Sequence, residues 1–235
     1  MMISVCLTTY NSERFLERQL ESILSQLSPE DEVVVSDDGS TDRTMEIIAR
    51  INSPLIRVVR NQGERGYTSN FEHALTQVRG DVVFLSDHDD VWMPNKVERC
   101  LELLQTNDFV IHDATLIDEH ERQISPSFFT LRRPRRTLLG NWVKFGYLGC
   151  CLAFRRSVLE KALPFPQHRK WCTHDNWLTL VGMAFYSVEI TDEKLIAYRR
   201  HSENLSFGEK NSHRSLVFRL TYRTYLLWQL LKRLT

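Results

Sequence analysis

The sequence predicts an α/β protein built on a doubly wound, mostly parallel sheet, and three observations carry that prediction. Short apolar runs alternate with segments of helical periodicity through the first half of the chain. The runs are near-continuous in Val, Ile and Leu, as strands covered on both faces require. Clusters of Asp, Gly, Ser and Asn then punctuate the ends of those runs. At 235 residues and 42% hydrophobic the chain supplies the burial that one sizeable core demands.

Residues 3–7 form the first predicted strand, followed by a helix carrying Leu16, Leu20, Ile23, Leu24 and Leu27 on one face. The βα alternation repeats as a strand over 32–35, a helix over 42–51, a strand over 56–59 and a helix over 70–78. A strand over 82–85, a helix over 95–104 and a strand over 109–112 complete it. Ser69 with Glu72 reads as a capping box ahead of Phe71, Ala74 and Leu75, and Pro94 sits where a helix begins. After Asp113 the alternation loosens into a polar stretch, a basic cluster at Arg132, Arg133, Arg135 and Arg136, and a glycine- and aromatic-rich segment over 146–154. A helix from near Asp175, a strand pair across 187–198 and a tail from Ser206 follow. The expected organisation is one domain over 1–205, made of halves 1–113 and 114–205, with 206–235 as a basic amphipathic tail.

Thirty basic and thirty acidic side chains cancel, which argues against a general nucleic-acid binder, whose affinity rests on a basic surface. No signal-peptide pattern and no apolar run of membrane-spanning length occurs, so the expected location is the cytoplasm. Cys6, Cys100, Cys150, Cys151 and Cys172 are odd in number and lack paired zinc spacing, which suits buried thiols in a reducing compartment.

In a sheet of this kind the carboxyl ends of the strands form the ligand crevice. There stand Thr8, Thr9, Tyr10 and Asn11 after the first strand, Asp37, Asp38, Gly39 and Ser40 after the second, and Asp87, His88, Asp89 and Asp90 after the fourth. Such a rim repels phosphate unless a divalent cation lies between, and hard Mg²⁺ or Mn²⁺ is what carboxylates and phosphate oxygens hold together. The acids at 37 and 38 also suit a tight turn that caps the next helix. Three carboxylates within residues 87–90 oppose one another unless a cation screens them.

Three groups of residues carry a family resemblance. They are Thr8 to Asn11 with Asp37, Asp38, Gly39, Ser40, Thr41 and Asp42; then Ser86, Asp87, His88, Asp89, Asp90, Val91 and Trp92; then His174, Asp175, Asn176, Trp177 and Leu178 with Tyr198, Arg199, Arg200, His201 and Asn204. In these the chain resembles the family 2 glycosyltransferases of the GT-A fold, and within them bacterial rhamnosyltransferase-like members, over residues 3 to about 205. The resemblance implies that Asp38, ahead of Asp37, bonds the donor's base, with Thr9, Tyr10 and Asn11 around the nucleoside. It implies that Asp89 ligates Mn²⁺ or Mg²⁺, with Asp87 contacting ribose, metal or metal-bound water and His201 contacting metal or diphosphate. His88 stands beside the donor where the family pattern has Gln. Gly149, His174 and Trp177 are implied on the acceptor side.

A sugar hydroxyl is a poor nucleophile, so transfer needs a carboxylate to take its proton as the bond forms. The family pattern assigns that role to Asp175, whose competing reading is a helix N-cap. The implied function is inverting transfer of a sugar, L-rhamnose from dTDP-rhamnose or a hexose from a UDP donor, to a lipid-linked bacterial surface polysaccharide. A nucleotidyltransferase on a similar sheet is disfavoured because residues 8–12 lack a glycine-rich basic loop, and a phosphatase because Ser36 replaces the aspartate two places before Asp38. A silent sugar-binding scaffold would not need Asp87, Asp89 and Asp175. The four arginines at 132–136 suit either a phosphate-bearing acceptor or an exposed loop. From Lys210 onward six basic residues and no acid interleave with leucines and Trp228, which suits peripheral attachment to the anionic inner face of the cell membrane or packing on a protein surface.

Overall fold

The computed structural model describes residues 1–201 and 216–234. Nine strands form one sheet: β1 (Ile3–Thr9), β2 (Glu32–Asp37), β3 (Ile56–Arg60), β4 (Val82–Ser86), β5 (Val91–Trp92), β6 (Phe109–Ile117), β7 (Gln123–Ser125), β8 (Leu152–Arg155) and β9 (Val188–Arg199). The helices are α1 (Leu16–Leu24), α2 (Thr44–Ile51), α3 (Tyr67–Leu75), α4 (Lys96–Leu103), α5 (Phe128–Arg132), α6 (Leu138–Val143), α7 (Val158–Ala162), α8 (His174–Phe185) and α9 (Leu216–Leu231). The strand order is β3-β2-β1-β4-β8-β6-β9-β5, with β7 beside β6.

Every residue of β1, β2 and β4 is buried, which is why these strands are apolar on consecutive positions rather than alternate ones. β1 pairs in parallel with β2 and β4, and β2 with β3. The register sets Thr9 beside Asp37 and Leu7 beside Ser86, so three strands deliver their carboxyl ends to one edge. Glu32, also buried, ties their other end: it accepts from Ser4 Oγ at 2.7 Å, Arg57 Nη2 at 2.9 Å and the Arg79 amide at 2.7 Å. Burial pushes its proton affinity up, and these donors outweigh that and hold the carboxyl below its ordinary range.

The predicted α/β class is present with the five predicted strands, here β1, β2, β3, β4 and β6, and four features depart from that reading or add to it. The last of the five, β6, does not border β4, because β8 from the 146–154 segment lies antiparallel between them. A single core therefore runs through both halves, joining Val5 and Phe84 to Phe154, Phe109 and Trp177. Across 187–198 there is one long strand instead of a pair: β9 runs parallel to β6 through two register shifts. At that irregularity the Glu193 amide bonds Thr191 Oγ1, and Arg99 grips the Glu193 carboxylate at 2.8 Å, so the chain kinks without reversing.

The third departure is α3, which starts at Tyr67 from Gly66 at φ 121°. Ser69 lies inside that helix and caps nothing, while Glu72 binds the Phe165 amide and Arg169. Finally, α9 is apolar on two sides rather than amphipathic: Leu226 and Leu230 are buried, while Val217, Leu220, Trp228 and Leu231 are exposed. The tail before Leu216 and Asn204 lie outside the described residues.

Candidate active site

The two loops after β1 and β2 are built as one unit. Asp37 accepts from Thr9 Oγ1 at 3.0 Å, from the Gly39 and Ser40 amides at 3.0 and 2.9 Å, and from Ser40 Oγ. Its carboxylate is consumed by the turn, which needs Gly39 at φ 89°. Thr9, 1% exposed, spends its hydroxyl on Asp37, so its contribution at the expected nucleoside pocket is to orient that turn. Asn11, at φ 48°, accepts the Thr41 amide at 2.9 Å and donates its own to Ser40 Oγ at 2.9 Å, clasping the loops together. Tyr10 beside it is exposed. Asp38 faces the other way, accepting from Asn61 Nδ2 at 2.9 Å and the Gly66 amide at 2.8 Å, and so links this loop to the start of α3.

The acidic run after β4 is held from beneath. Buried Gln19 of α1 donates Nε2 to Ser86 Oγ at 2.6 Å and to the Asp87 carbonyl at 3.1 Å. Arg199, the last residue of β9 and 2% exposed, donates Nε to the Asp89 carbonyl at 2.7 Å and its amide to Asp90 Oδ1 at 2.9 Å. Its guanidinium also reaches the Asp118 and Glu119 carbonyls and Glu121, and lies 4.7 Å over the Phe15 ring. The sequence motif contained Arg199 without a role for it. Gln19 left one legible signal, a polar residue at the helical spacing of the buried positions Leu16, Leu20 and Ile23.

His201 Nε2 lies 2.8 Å from Asp89 Oδ2, and its ring packs 5.0 Å from Phe15. Burial alone would raise the Asp89 carboxyl, but the His201 bond, with the charges of His88 and His201, holds it below its ordinary value. Asp87 goes the opposite way: burial, then Asp89, then Asp175 push it up to about 7, against a smaller pull from Lys96. Half-buried His88 sits between these two aspartates in sequence.

Asp175 arrives from the other half of the chain, in the first turn of α8. It is half-buried, accepts from its own neighbour's amide, Asn176, at 2.7 Å and from Thr173 Oγ1, and still contributes to the field on Asp87. The N-cap position belongs to Thr173. His174 is buried with its ring stacked 4.0 Å from Phe71, and neither ring nitrogen has a hydrogen-bond partner. Burial lowers its pKa, against a smaller opposing effect of Asp175. Gly149 makes that packing possible, since a Cβ there would lie 2.4 Å from His174 Nε2. Trp177 is fully enclosed and donates Nε1 to the Ala162 carbonyl at 2.8 Å. From there its indole supports α8 in place of the acceptor contact expected of it, because a side chain with no exposed surface cannot touch a ligand.

Beneath the acidic run, Asp87, Asp90 and Cys150 offer ligand atoms within 4.8 Å of one another. Asp90 Oδ2 has no partner, and fully buried Lys96 is committed to the Cys150 carbonyl at 2.7 Å and the face of Trp92 at 4.4 Å. Burial holds Lys96 below and Asp90 well above their ordinary values. The carboxylate excess at 87–90 therefore fits a hard divalent cation. Oxygen donors from Asp87 and Asp89 suit it, whereas the Cys150 thiol, raised well above its ordinary pKa by its bond to Cys151 and by burial, does not.

Comparison with known proteins follows the same lines. The model of glycosyl transferase family 2 matches residues 4–163. An uncharacterized glycosyltransferase of Nostoc is 31% identical over 87% of this chain and 66% of its own length. The dTDP-rhamnosyl transferase RfbG of Shigella flexneri is 25% identical over 92% and 81%, and the UDP-Glc glucosyltransferase WfaP of Escherichia coli 24% over 87% and 80%. Among solved structures, S. aureus TarS residues 1–349 with UDP-GlcNAc superposes with a TM-score of 0.70 at 23% identity, over 87% of this chain and 60% of that one. The Mycobacterium tuberculosis glucosyl-3-phosphoglycerate synthase with Mn²⁺ and UDP does so at 0.60 and 19%, over 99% and 79%. The chain thus spans about two thirds of the Nostoc relative and 60% of the TarS structure.

Proposed function

The chain belongs to glycosyl transferase family 2, and on that premise we propose that it transfers a sugar from a nucleoside-diphosphate donor to a glycan hydroxyl by one displacement with inversion. The observation that carries this reading is the convergence of Asp87 and Asp89 with Asp175, from opposite halves of the chain, closely enough that both of the others raise the proton affinity of Asp87. In the proposed reaction Asp175 accepts the proton of the attacking hydroxyl, and Thr173 and the Asn176 amide orient its carboxylate. Asp38 bonds the base, and Tyr10 and Asn11 border the nucleoside. Asp87 and Asp89 hold Mn²⁺ or Mg²⁺ with His201 behind Asp89; when bound, the ion supplies positive charge to the departing diphosphate. The Mn²⁺ and UDP in the mycobacterial synthase are support for this assignment by likeness of fold.

The finer reading is dTDP-rhamnose as donor and a lipid-linked polysaccharide precursor as acceptor, met at the cytoplasmic face of the membrane; RfbG supports the sugar. A UDP-hexose is the second reading, favoured by WfaP and by the UDP-GlcNAc complex of TarS. A melting panel of nucleotide sugars with and without Mn²⁺ separates them, because the true donor raises the transition temperature in a metal-dependent way. In the transfer assay, Asp175→Asn keeps that shift and loses transfer by about a thousandfold, the scale of a missing general base. Transfer at the wild-type rate would remove Asp175 from the role.

A further inference from the structure

The exposed side of α9 is the apolar one. Val217, Leu220, Leu227, Trp228 and Leu231 are 72, 62, 40, 52 and 53% exposed, and at about 100° per residue they fall on one stripe with Thr221 and Thr224. Leu226 and Leu230 occupy the opposite side and bury into the domain. Residues 131–143, beside this helix, expose Leu131, Leu138, Leu139 and Val143 as well. The two segments are bonded to each other. Trp142 Nε1 donates to the Arg223 carbonyl at 2.9 Å, the Arg223 guanidinium bonds the Val143 carbonyl, and the Phe145 and Tyr222 rings lie 6.2 Å apart. Of the fourteen large apolar side chains exposed among the described residues, nine come from these two stretches.

The same stretches are acid-free. Residues 131–147 contain Arg132, Arg133, Arg135, Arg136 and Lys144, and 216–235 contain Arg219, Arg223, Lys232 and Arg233, with no Asp or Glu in either. Lys232 Nζ stands 3.3 Å from the Trp228 ring centroid, a cation and an amphipathic ring side by side. We propose that α9 and residues 131–143 together form an interfacial patch that seats the protein on an anionic lipid bilayer, leucines and Trp228 in the acyl boundary and the basic groups among the headgroups. Charge decides between occupants. With Arg223 and Arg233 bonded back to the Val143, Leu163 and Pro164 carbonyls, a second copy laid on the same patch would set Lys232, beside Trp228, and the exposed Arg133 and Arg135 against an equally acid-free surface. An anionic bilayer matches them, and no described helix is long and apolar enough to insert instead. The patch deepens the transferase reading, on which it rests only in giving a lipid-linked acceptor a place to be met.

The test is sedimentation of the full chain with vesicles of phosphatidylcholine, alone or mixed with phosphatidylglycerol, at low and high salt. Wild type is expected to sediment with the mixed vesicles, less at high salt. The exposed-site double variant Leu220→Ser/Trp228→Ser, and Leu139→Ser separately, are each expected to bind at least about tenfold more weakly. Binding that ignores phosphatidylglycerol or survives the double variant overturns the patch; unchanged binding by Leu139→Ser removes residues 131–143 from it. A dimer in light scattering without lipid, lost in the double variant, assigns the stripe to a second copy and overturns it too. The Mn²⁺-dependent melting shift with nucleotide sugars is measured on the same samples. Its absence in wild type sinks the transferase reading and leaves the vesicle result standing, whereas a normal shift without vesicle binding sinks only the patch.

Discussion

Asp87 is the residue whose environment speaks most directly about chemistry. Burial and the carboxylates of Asp89 and Asp175 raise its pKa from 3.8 to about 7. The unfolded chain releases this proton first, so between those values the folded protein holds the extra proton. Stability conferred at low pH is then lost as pH rises through that window and stays lost above it. In chelator, Asp87→Asn is therefore expected to stabilise the protein by on the order of 2 kcal/mol near pH 8 and by almost nothing near pH 4. Urea midpoints at both pH values check this, and an equal gain at both would contradict the crowding. A second residue-scale prediction concerns Gly149. Its substitution by Ala places a methyl against His174 Nε2, which must leave Phe71, at a cost of about 1–3 kcal/mol for overpacking. Thermal melting of Gly149→Ala measures it, and a transfer assay on the folded fraction shows whether Asp175, adjacent to His174, moves with it. Residue types at these positions were legible as acidic loops in the sequence. The orientation of each carboxylate was not, because it depends on donors such as Asn61 and Gly66 that approach from elsewhere.

At the scale of elements, the site is a strand end clamped by two distant side chains. Gln19 fastens α1 to the end of β4, and Arg199 fastens the end of β9 to the carbonyl of Asp89 and the carboxylate of Asp90. Arg199→Gln leaves the carbonyls of Asp89, Asp118 and Glu119 without their cation, so about 3 kcal/mol of stability should be lost. Metal-dependent donor affinity should fall with it even where the protein remains folded. Calorimetric titration of donor with Mn²⁺ reads that effect, and wild-type affinity in the folded variant would confine Arg199 to stability. The helices and strands themselves were largely visible from period and turn chemistry, as in the buried run of β1 and the Leu16, Leu20 and Ile23 face of α1. The start of α3 was mistaken because Ser69 and Glu72 match a capping pattern by spacing alone, while Glu72 is claimed by Arg169 nearly a hundred residues away.

For the whole molecule, the two halves share one core, and the proposed site draws on both. Asp87 and Asp89 come from the parallel half, and Asp175 and His201 from the half in which β8 threads between β4 and β6. Binding of donor should accordingly stabilise the entire domain rather than a part. With Mn²⁺ and the correct nucleotide sugar the protein should unfold in a single transition raised by RT ln(1 + [L]/Kd), about 2.7 kcal/mol at a hundredfold excess over Kd. Scanning calorimetry showing two transitions, only one of them ligand-sensitive, would contradict a shared core.

The α/β class, the strands β1, β2, β3, β4 and β6, the acidic loops at strand ends and the family were all legible along the chain, because period, turn residues and short motifs are properties of neighbouring positions. It took the folded chain to show that β8 separates β4 from β6, that Trp177 and Arg199 face inward, that Asp37 serves its turn while Asp38 faces Asn61, and that α9 presents leucines outward. Each of these depends on which distant surface a side chain meets, and burial against a distant surface leaves no periodic trace along the chain.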